Sequence, residues 1–276
     1  MKLNSIILIL LFSSSLLSSQ NIGIEISNPQ SKLHLGQGDI FLDNHTQGVI
    51  MKSPNGNCWK QTISNTGTPV FTLIACPGVP SSITYGGQTY AIKPMPDGKW
   101  WMAENLNIGT MITGATDMTN NSVIEKYCYA DNAANCTTYG GLYQWNEMMQ
   151  YTTAAGAQGI CPTGWHVPTD AEWTALETAL PSPDKGSRLA GNAGLWIGGA
   201  LDQSQYFGTS GFAALPTGYR YTDGSFFNQS DYAVFWSSTE NGGSNAWFRY
   251  LFYSNTDVTQ DYTNKPNGFS VRCVQD

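Results

Sequence analysis

Charge is what this chain has least of. Only 12% of its 276 residues are Asp, Glu, Lys or Arg, and the 13 basic residues form no block anywhere. A formal net charge of −7 without a basic patch repels phosphate backbones and anionic lipid surfaces, so nucleic-acid and membrane-surface partners are disfavoured. Histidine is scarce too, with only His34, His45 and His166, and the cysteines include no C-x-x-C pair. Without close Cys or His pairs no metal site is expected. H-E-x-x-H, G-x-S-x-G and a phosphate-cradling glycine loop leading into a helix are all missing, so no catalytic residue is assigned and no cofactor is expected.

Long apolar runs are missing as well, except at the start. Met1-Lys2-Leu3-Asn4 carries one positive charge, and an apolar, serine-rich run follows from Ser5 to Leu17. That pattern predicts a signal peptide over 1–20, cleaved near Ser19 or Gln20, because the run is short for a membrane span. The first cysteine is Cys58, so none stands near the cleavage site to accept lipid. The expectation is a secreted or extracytoplasmic protein, in the periplasm or at the cell surface, with no membrane insertion once the signal is removed.

What the chain has is glycine, small polar residues and aromatics, the last at 12%. This is the composition of a loop-rich β protein. Residues 21–76 read as a small β-rich module of short apolar runs separated by Asn-Pro and Gly turns. They include strands at Trp59–Ile63 and Pro69–Ile74 around the turn Ser64–Thr68. Pro77-Gly-Val-Pro-Ser-Ser82 reads as a linker, and 83–276 as the larger domain. Behind a signal peptide, six cysteines read as three disulfides. Cys58 and Cys76 flank the predicted hairpin, Cys128 and Cys136 bracket a short polar loop, and Cys161 and Cys273 remain.

The larger domain is organised around Cys161-Pro-Thr-Gly-Trp-His-Val-Pro-Thr-Asp-Ala-Glu-Trp173. Thr169 and Glu172 form an S/T-x-x-E capping box, Trp173, Leu176 and Leu180 recur at helical spacing, and Pro181 ends the helix. An earlier helix is expected over Tyr139–Gln150, with Leu142, Trp145 and Met149 inward and Glu147 on its surface. Hairpins are expected around Gly86-Gly87 and at the two-residue turn Asp223-Gly224, with further strands at 232–238 and 246–253. Phe269–Val274 is a last strand with Phe269, Val271 and Cys273 on one face. His166, between Trp165 and Val167, reads as a structural histidine.

Six ordered stretches carry a resemblance. They are Trp101–Leu106, Tyr139–Tyr143, Cys161–Thr169, Ala214–Arg220, Phe235–Glu240 and Gly268–Val274. With these, residues 83–276 resemble the Fibrobacter succinogenes major paralogous domain, a family of secreted proteins of Bacteroidetes and Fibrobacter-like bacteria. The resemblance implies an α+β, C-type lectin-like architecture: two helices, a small twisted antiparallel sheet, long loop excursions, and a cystine joining a helix region to the last strand. Formylglycine-generating enzymes share that wider architecture but use a pair of reactive cysteines, and here only Cys273 lies in the matching region. Calcium-type lectins bind sugar through a Glu-Pro-Asn-like loop and a Trp-Asn-Asp strand. The nearest stretches here, Asn264-Lys-Pro-Asn267 and Trp236-Ser-Ser-Thr239, replace the oxygen ligands with lysine and serines. The N-terminal segment is similar to modules that precede head domains in bacterial surface and tail-fibre-like proteins, which implies oligomerisation through it.

The function expected is non-catalytic binding of a polysaccharide or surface glycan. Aromatics lie beside Asn, Gln, Ser and Asp, a combination that stacks on sugar faces and takes hydroxyls. Trp196, Tyr206, Asp257 and Asn264 are the candidate ligand residues, in the excursion 190–215 and the loops 239–246 and 254–267. The alternatives are a structural or adhesive surface protein with no small ligand, and a glycan-active enzyme that uses some pair of Glu104, Glu147, Glu172 and Glu240. Non-reducing peptide mapping should return the linkages 58–76, 128–136 and 161–273; a free thiol at Cys273 would break the alignment with the family.

Overall fold

The N-terminus of one helix shows how local chemistry sets the larger domain. In the computed structural model, Thr169 Oγ1 accepts the Glu172 N–H at 3.1 Å, and the Glu172 carboxylate accepts the Thr169 N–H at 2.8 Å. This capping box opens the helix Asp170–Ala179, as expected, and Trp173, Leu176 and Leu180 are buried along one side of it. The structure describes residues 22–24, 33–35, 49–52, 58–74 and 81–276. The predicted signal peptide, Cys76 and the first four residues of the linker lie outside the described residues.

The chain divides into two compact units, 1–48 with 62–68, and 49–61 with 69–276. In the first, Ile22–Ile24 pairs in parallel with Leu33–Leu35. Strands Val49–Lys52, Cys58–Ile63 and Pro69–Ile74 line up in that order in one sheet, with the last two matching the expected hairpin. Cys58 is held in a disulfide.

The region 82–276 is mixed, with a few short helices and several antiparallel sheets, as the α+β class describes. A five-stranded sheet runs in the order Trp165–His166, Val274–Gln275, Trp100–Met102, Gln88–Pro94, Ser82–Tyr85. A four-stranded sheet runs Tyr143–Gln144, Gly268–Phe269, Tyr219–Arg220, Phe226–Phe227. A three-stranded sheet is built from Tyr232–Glu240, Asn245–Phe252 and Thr259–Asn264. The expected last strand is therefore split between two sheets, with Ser270 bridging Phe235 in between. The alternation along it holds: Phe269, Val271 and Cys273 enter one core cluster, while Val274 enters another.

The three-stranded sheet separates those two clusters. Val234, Trp236 and Ala246 face the cluster that holds Trp145 and the Cys161–Cys273 disulfide. Ala233, Phe235 and Leu251 face Trp101, Trp173 and Phe212 on the helix side. Arg249, buried on the helix side, clamps the helix to the sheet through Asp170 at 2.6 Å and Glu177 at 2.5 Å. The disulfide closes a separation of 112 residues, which stabilises by about 4–5 kcal/mol on chain-entropy reasoning. The second cystine, Cys128–Cys136, is also present as expected.

Several local expectations are corrected. Tyr139–Gln150 is not one helix. The helix is Ala133–Tyr139, started by the Asn132 side chain accepting the Ala134 N–H, and it stops at Gly140, where φ is +85°. A strand pair and the short helix Trp145–Met148 follow. Leu142, Trp145 and Met149 are buried nonetheless. Glu147 is buried rather than on the surface, because its carboxylate accepts the Glu125 N–H at 3.0 Å and the Tyr151 hydroxyl at 2.8 Å. The Asp223-Gly224 turn holds three residues, since Tyr221 N–H donates to Ser225 O and Gly224 N–H donates back to Tyr221 O. The stretch 181–215, whose sequence shows little periodicity, carries helices Lys185–Leu189 and Ala200–Gln203.

Two predictions follow from the capped helix. Thr169→Ala should cost about 1 kcal/mol and Trp173→Ala about 3–5 kcal/mol in chemical denaturation; equal, negligible effects would make this stretch peripheral. The second concerns acid. Burial alone would raise the Glu172 carboxyl, but Lys99, the Thr169 N–H and His166 outweigh it and push it down to about 2, from an ordinary 4.5. A carboxyl lowered on folding stabilises above its unfolded pKa and loses that contribution as pH falls through the folded one. Wild type should lose ~2–3 kcal/mol from this group between pH 4.5 and 2. In Glu172→Gln, denaturation curves over that window should lack this loss.

Candidate functional site

The alternation of side chains along strands builds the principal cleft of the larger domain. Tyr219 and Tyr221 stand on the same face of the four-stranded sheet as Phe269, while Arg220 between them points the other way into the protein. From the three-stranded sheet come Tyr232 and Val234, Phe248 and Tyr250, each pair two residues apart. Asn228, Thr263 and Asn267 add amide and hydroxyl groups. Together these residues line a cavity of about 220 Å³. Its rings are in contact: Phe248 with Phe269 at 5.0 Å, Phe269 with Tyr219 at 6.0 Å, Tyr232 with Tyr250 at 5.5 Å. Gly218 sets the first wall, because at its φ of +69° the chain passes so close to Phe227 that a Cβ would collide with the Phe227 carbonyl.

Asn267 is the least satisfied group in this cleft. It is 3% exposed; its Nδ2 donates to Thr263 Oγ1 at 2.9 Å, and its Oδ1 is buried with no hydrogen-bond partner. A buried unpaired carbonyl costs about 1–3 kcal/mol, and this one belongs to a residue that lines the cleft. On the opposite wall, Asn228 Nδ2 donates to the Tyr219 hydroxyl at 3.3 Å. Burial raises the phenols of Tyr219 and Tyr232 above the ordinary tyrosine range, and both are neutral at pH 7. None of the ten lining residues carries a charge.

The turn at the edge of the cleft holds a cation of the protein's own. Lys265 is buried, its ammonium ion-paired with Glu240 and donating to Gly243 O at 3.0 Å, and it lies 4.3 Å above the Trp145 ring. Asn264–Asn267, the stretch compared with a calcium-lectin loop, is thus organised by a lysine. Among the described residues no group of three or more His, Cys, Asp or Glu side chains is placed to hold a metal ion.

The four residues expected to bind ligand do not converge. Trp196 is 6% exposed and packs in the helix-side core, with its indole N–H donating to Gly191 O at 3.0 Å. Its faces are occupied by packing, so it cannot serve as a sugar platform. Tyr206 is half-buried beneath the Arg188 guanidinium, 3.9 Å from the ring centre. Asp257 is exposed in the turn before Thr259–Asn264, and Asn264 is exposed at the other end of that strand, a span of roughly 17 Å. Of the three loop regions expected to supply a site, 254–267 contributes Thr263 and Asn267 to the cleft. The excursion 190–215 sends Trp196, Leu201, Phe212 and Ala214 into the core instead. The signal that could have found the cleft was the i, i+2 spacing of aromatics in Tyr219-x-Tyr221 and Phe248-x-Tyr250.

The carboxylates considered for catalysis have structural partners. Glu104 accepts the Ala91 N–H at 2.7 Å, Glu240 pairs with Lys265, and Glu172 binds Lys99 at 2.6 Å and His166 at 2.9 Å. His166 bridges that carboxylate to Asp276 at 2.7 Å, which ties the helix cap to the final strand.

These features define a mixed, disulfide-tied domain with an uncharged aromatic cleft between two antiparallel sheets. Residues 97–275 match the Fibrobacter succinogenes major domain family, and the chain belongs to it. Neither the curated proteins nor the solved structures contain a match to the chain.

Proposed function

We propose that the domain from about 83 to 276 binds a neutral polysaccharide or surface glycan in the cleft between its two aromatic sheet faces, without cleaving it. The observation that carries this reading is the lining: rings in mutual contact, neutral phenols and amides, and one buried carbonyl oxygen left without a donor. Sugar rings present C–H faces to aromatics and hydroxyls at their edges, and such a lining answers both. No carboxylate or imidazole lines the cleft, as a carboxylate-pair glycosidase would need, and the absence of charge predicts weak salt dependence. No carboxylate lines the cleft to hold calcium. We read the architecture as C-type lectin-like, with the chain exported by its first 20 residues. Disulfides fit an oxidising compartment, and no helix among the described residues is long and apolar enough to cross a membrane.

A scaffold or adhesive role has one observation of its own. The sheet formed by 49–52, 58–63 and 69–74 leaves Val49, Ile50, Met51, Val70 and Phe71 exposed, which suits self-association through the N-terminal module. Light scattering on the mature chain distinguishes an assembled form from a monomer.

A glycan array followed by titration of the retained sugars tests the cleft. Tyr250→Ala and Asn267→Ala should each weaken binding by about tenfold. Trp196→Ala should lower the melting temperature and leave the affinity of the folded protein unchanged. Release of reducing sugar would replace this reading with an enzyme, and loss of binding in a chelator would overturn the argument against calcium.

A further inference from the structure

The cleft is not isolated; its rings continue past both ends. Tyr219 contacts Phe227, its register partner on the neighbouring strand, at 6.0 Å, and Phe227 contacts Tyr221 at 6.3 Å. These two outer rings are 42% and 46% exposed, respectively. On the other side Tyr232 is stacked on Phe252 at 4.4 Å, again across a register pair. An unbroken series of contacting rings therefore runs from Phe252 across the cleft floor to Tyr221. Exposed Phe and Tyr side by side on a sheet face cost apolar exposure with no gain to the fold, so their place at the mouth of an aromatic cleft calls for an occupant.

The size of the cleft constrains that occupant. About 220 Å³ is below the ~300–1,000 Å³ of clefts that enclose a whole small-molecule ligand. One sugar unit fills it, and whatever is joined to that unit must lie over the flanking rings. We propose, resting on the glycan reading above, that the ligand is an unbranched neutral chain bound along its length. One internal unit sits in the cleft against its rings and its amide and hydroxyl groups, and the adjoining units stack on the Tyr221–Phe227 and Phe252 platforms. An unbranched chain is required because substituents on successive units would lift it from the rings. A neutral one is required because no lining side chain offers a counter-charge.

The test is calorimetric titration of the full mature chain with oligosaccharides of two to six units from the β-1,4-gluco, β-1,4-xylo and β-1,4-manno series. In at least one series the affinity should rise about tenfold between two and four units, as two further ring contacts come into play. The variant Phe227→Ala changes an exposed side chain outside the cleft lining. It should keep the disaccharide affinity within twofold and lose much of the rise with length. Equal affinity for disaccharide and hexasaccharide in wild type would overturn the chain-binding inference and leave a single-unit glycan site standing. A length-dependent rise that Phe227→Ala retains in full would overturn the assigned platform. Binding to none of the three series, together with an empty array of neutral glycans, would overturn the glycan reading and this inference with it.

Discussion

A guanidinium buried without a hydrogen-bonded carboxylate constrains the larger domain more than any other group. Arg272 is fully buried, and its donors go to Asn105 Oδ1 at 2.5 Å, Met102 O at 2.9 Å, Phe212 O at 2.7 Å and Ala213 O at 2.9 Å. Burial pulls its pKa down to about 9, which leaves it charged at neutral pH. A charge with no counter-ion in contact is tolerable only where hydrogen bonds answer its donors, and losing an acceptor adds to the desolvation cost. The two segments that supply the acceptors, 102–105 and 212–213, are therefore fixed to the last strand. Asn105 is in turn held by Tyr139 O, Thr217 Oγ1 and Ser270 Oγ. The ring of Phe212 lies 4.6 Å from the guanidinium, so the excursion before the cleft is anchored by both its carbonyls and its side chain.

The second constraint is a bulge. Pairing in the long hairpin runs from Tyr232↔Phe252 to Trp236↔Phe248, then shifts before Glu240↔Ala246. The backbone freed at the shift is taken up by the capped stretch: Ser238 N–H donates to Pro168 O at 2.8 Å, and Thr239 Oγ1 accepts the Asp170 N–H at 3.0 Å. Trp145 donates its indole N–H to Ser237 O at 2.8 Å from the other side. A regular ladder would have used those groups on its own neighbour. The bulge instead joins the sheet to the helix N-terminus, and it bends the hairpin so that its ring-bearing face opens against Phe269.

How much of this was legible in the sequence follows from the range of each interaction. The capping box, the buried stripe of the capped helix and the hairpins at 58–74 and 82–94 are local, and the letters contain them. Alternation along Phe269–Val274 was legible, but its division between two sheets was not, because the partners are scattered along the chain from Trp101 to Phe235. The helix over 139–150 failed at Gly140, whose positive φ breaks a pattern that hydrophobic spacing alone supports. The site was misplaced for a related reason. Aromatics in polar loops look available, yet Trp196 is what lets a charge-poor excursion bury itself. Those in strands look like core, yet half of each strand pair faces the cleft.

Buried cations stand behind the neutral lining of the cleft. Arg220, Arg249, Lys265 and Arg272 are buried, out of 13 basic residues in the chain. Each lies close in sequence to a cleft wall. Arg220 stands between Tyr219 and Tyr221, Arg249 between Phe248 and Tyr250, Lys265 between Thr263 and Asn267, and Arg272 follows Phe269 on the last strand. On a strand, neighbours point to opposite faces. Arg220 and Arg249, driven inward, therefore hold the rings on either side of them outward, and their hydrogen bonds tie down the strands that carry those rings: Arg220 to Gly114 O and Pro266 O, Arg249 to Asp170 and Glu177. Such anchors resist the collapse of the aromatic faces onto each other that apolar area alone would favour. These two cations thus lie behind the cleft walls and leave the lining neutral.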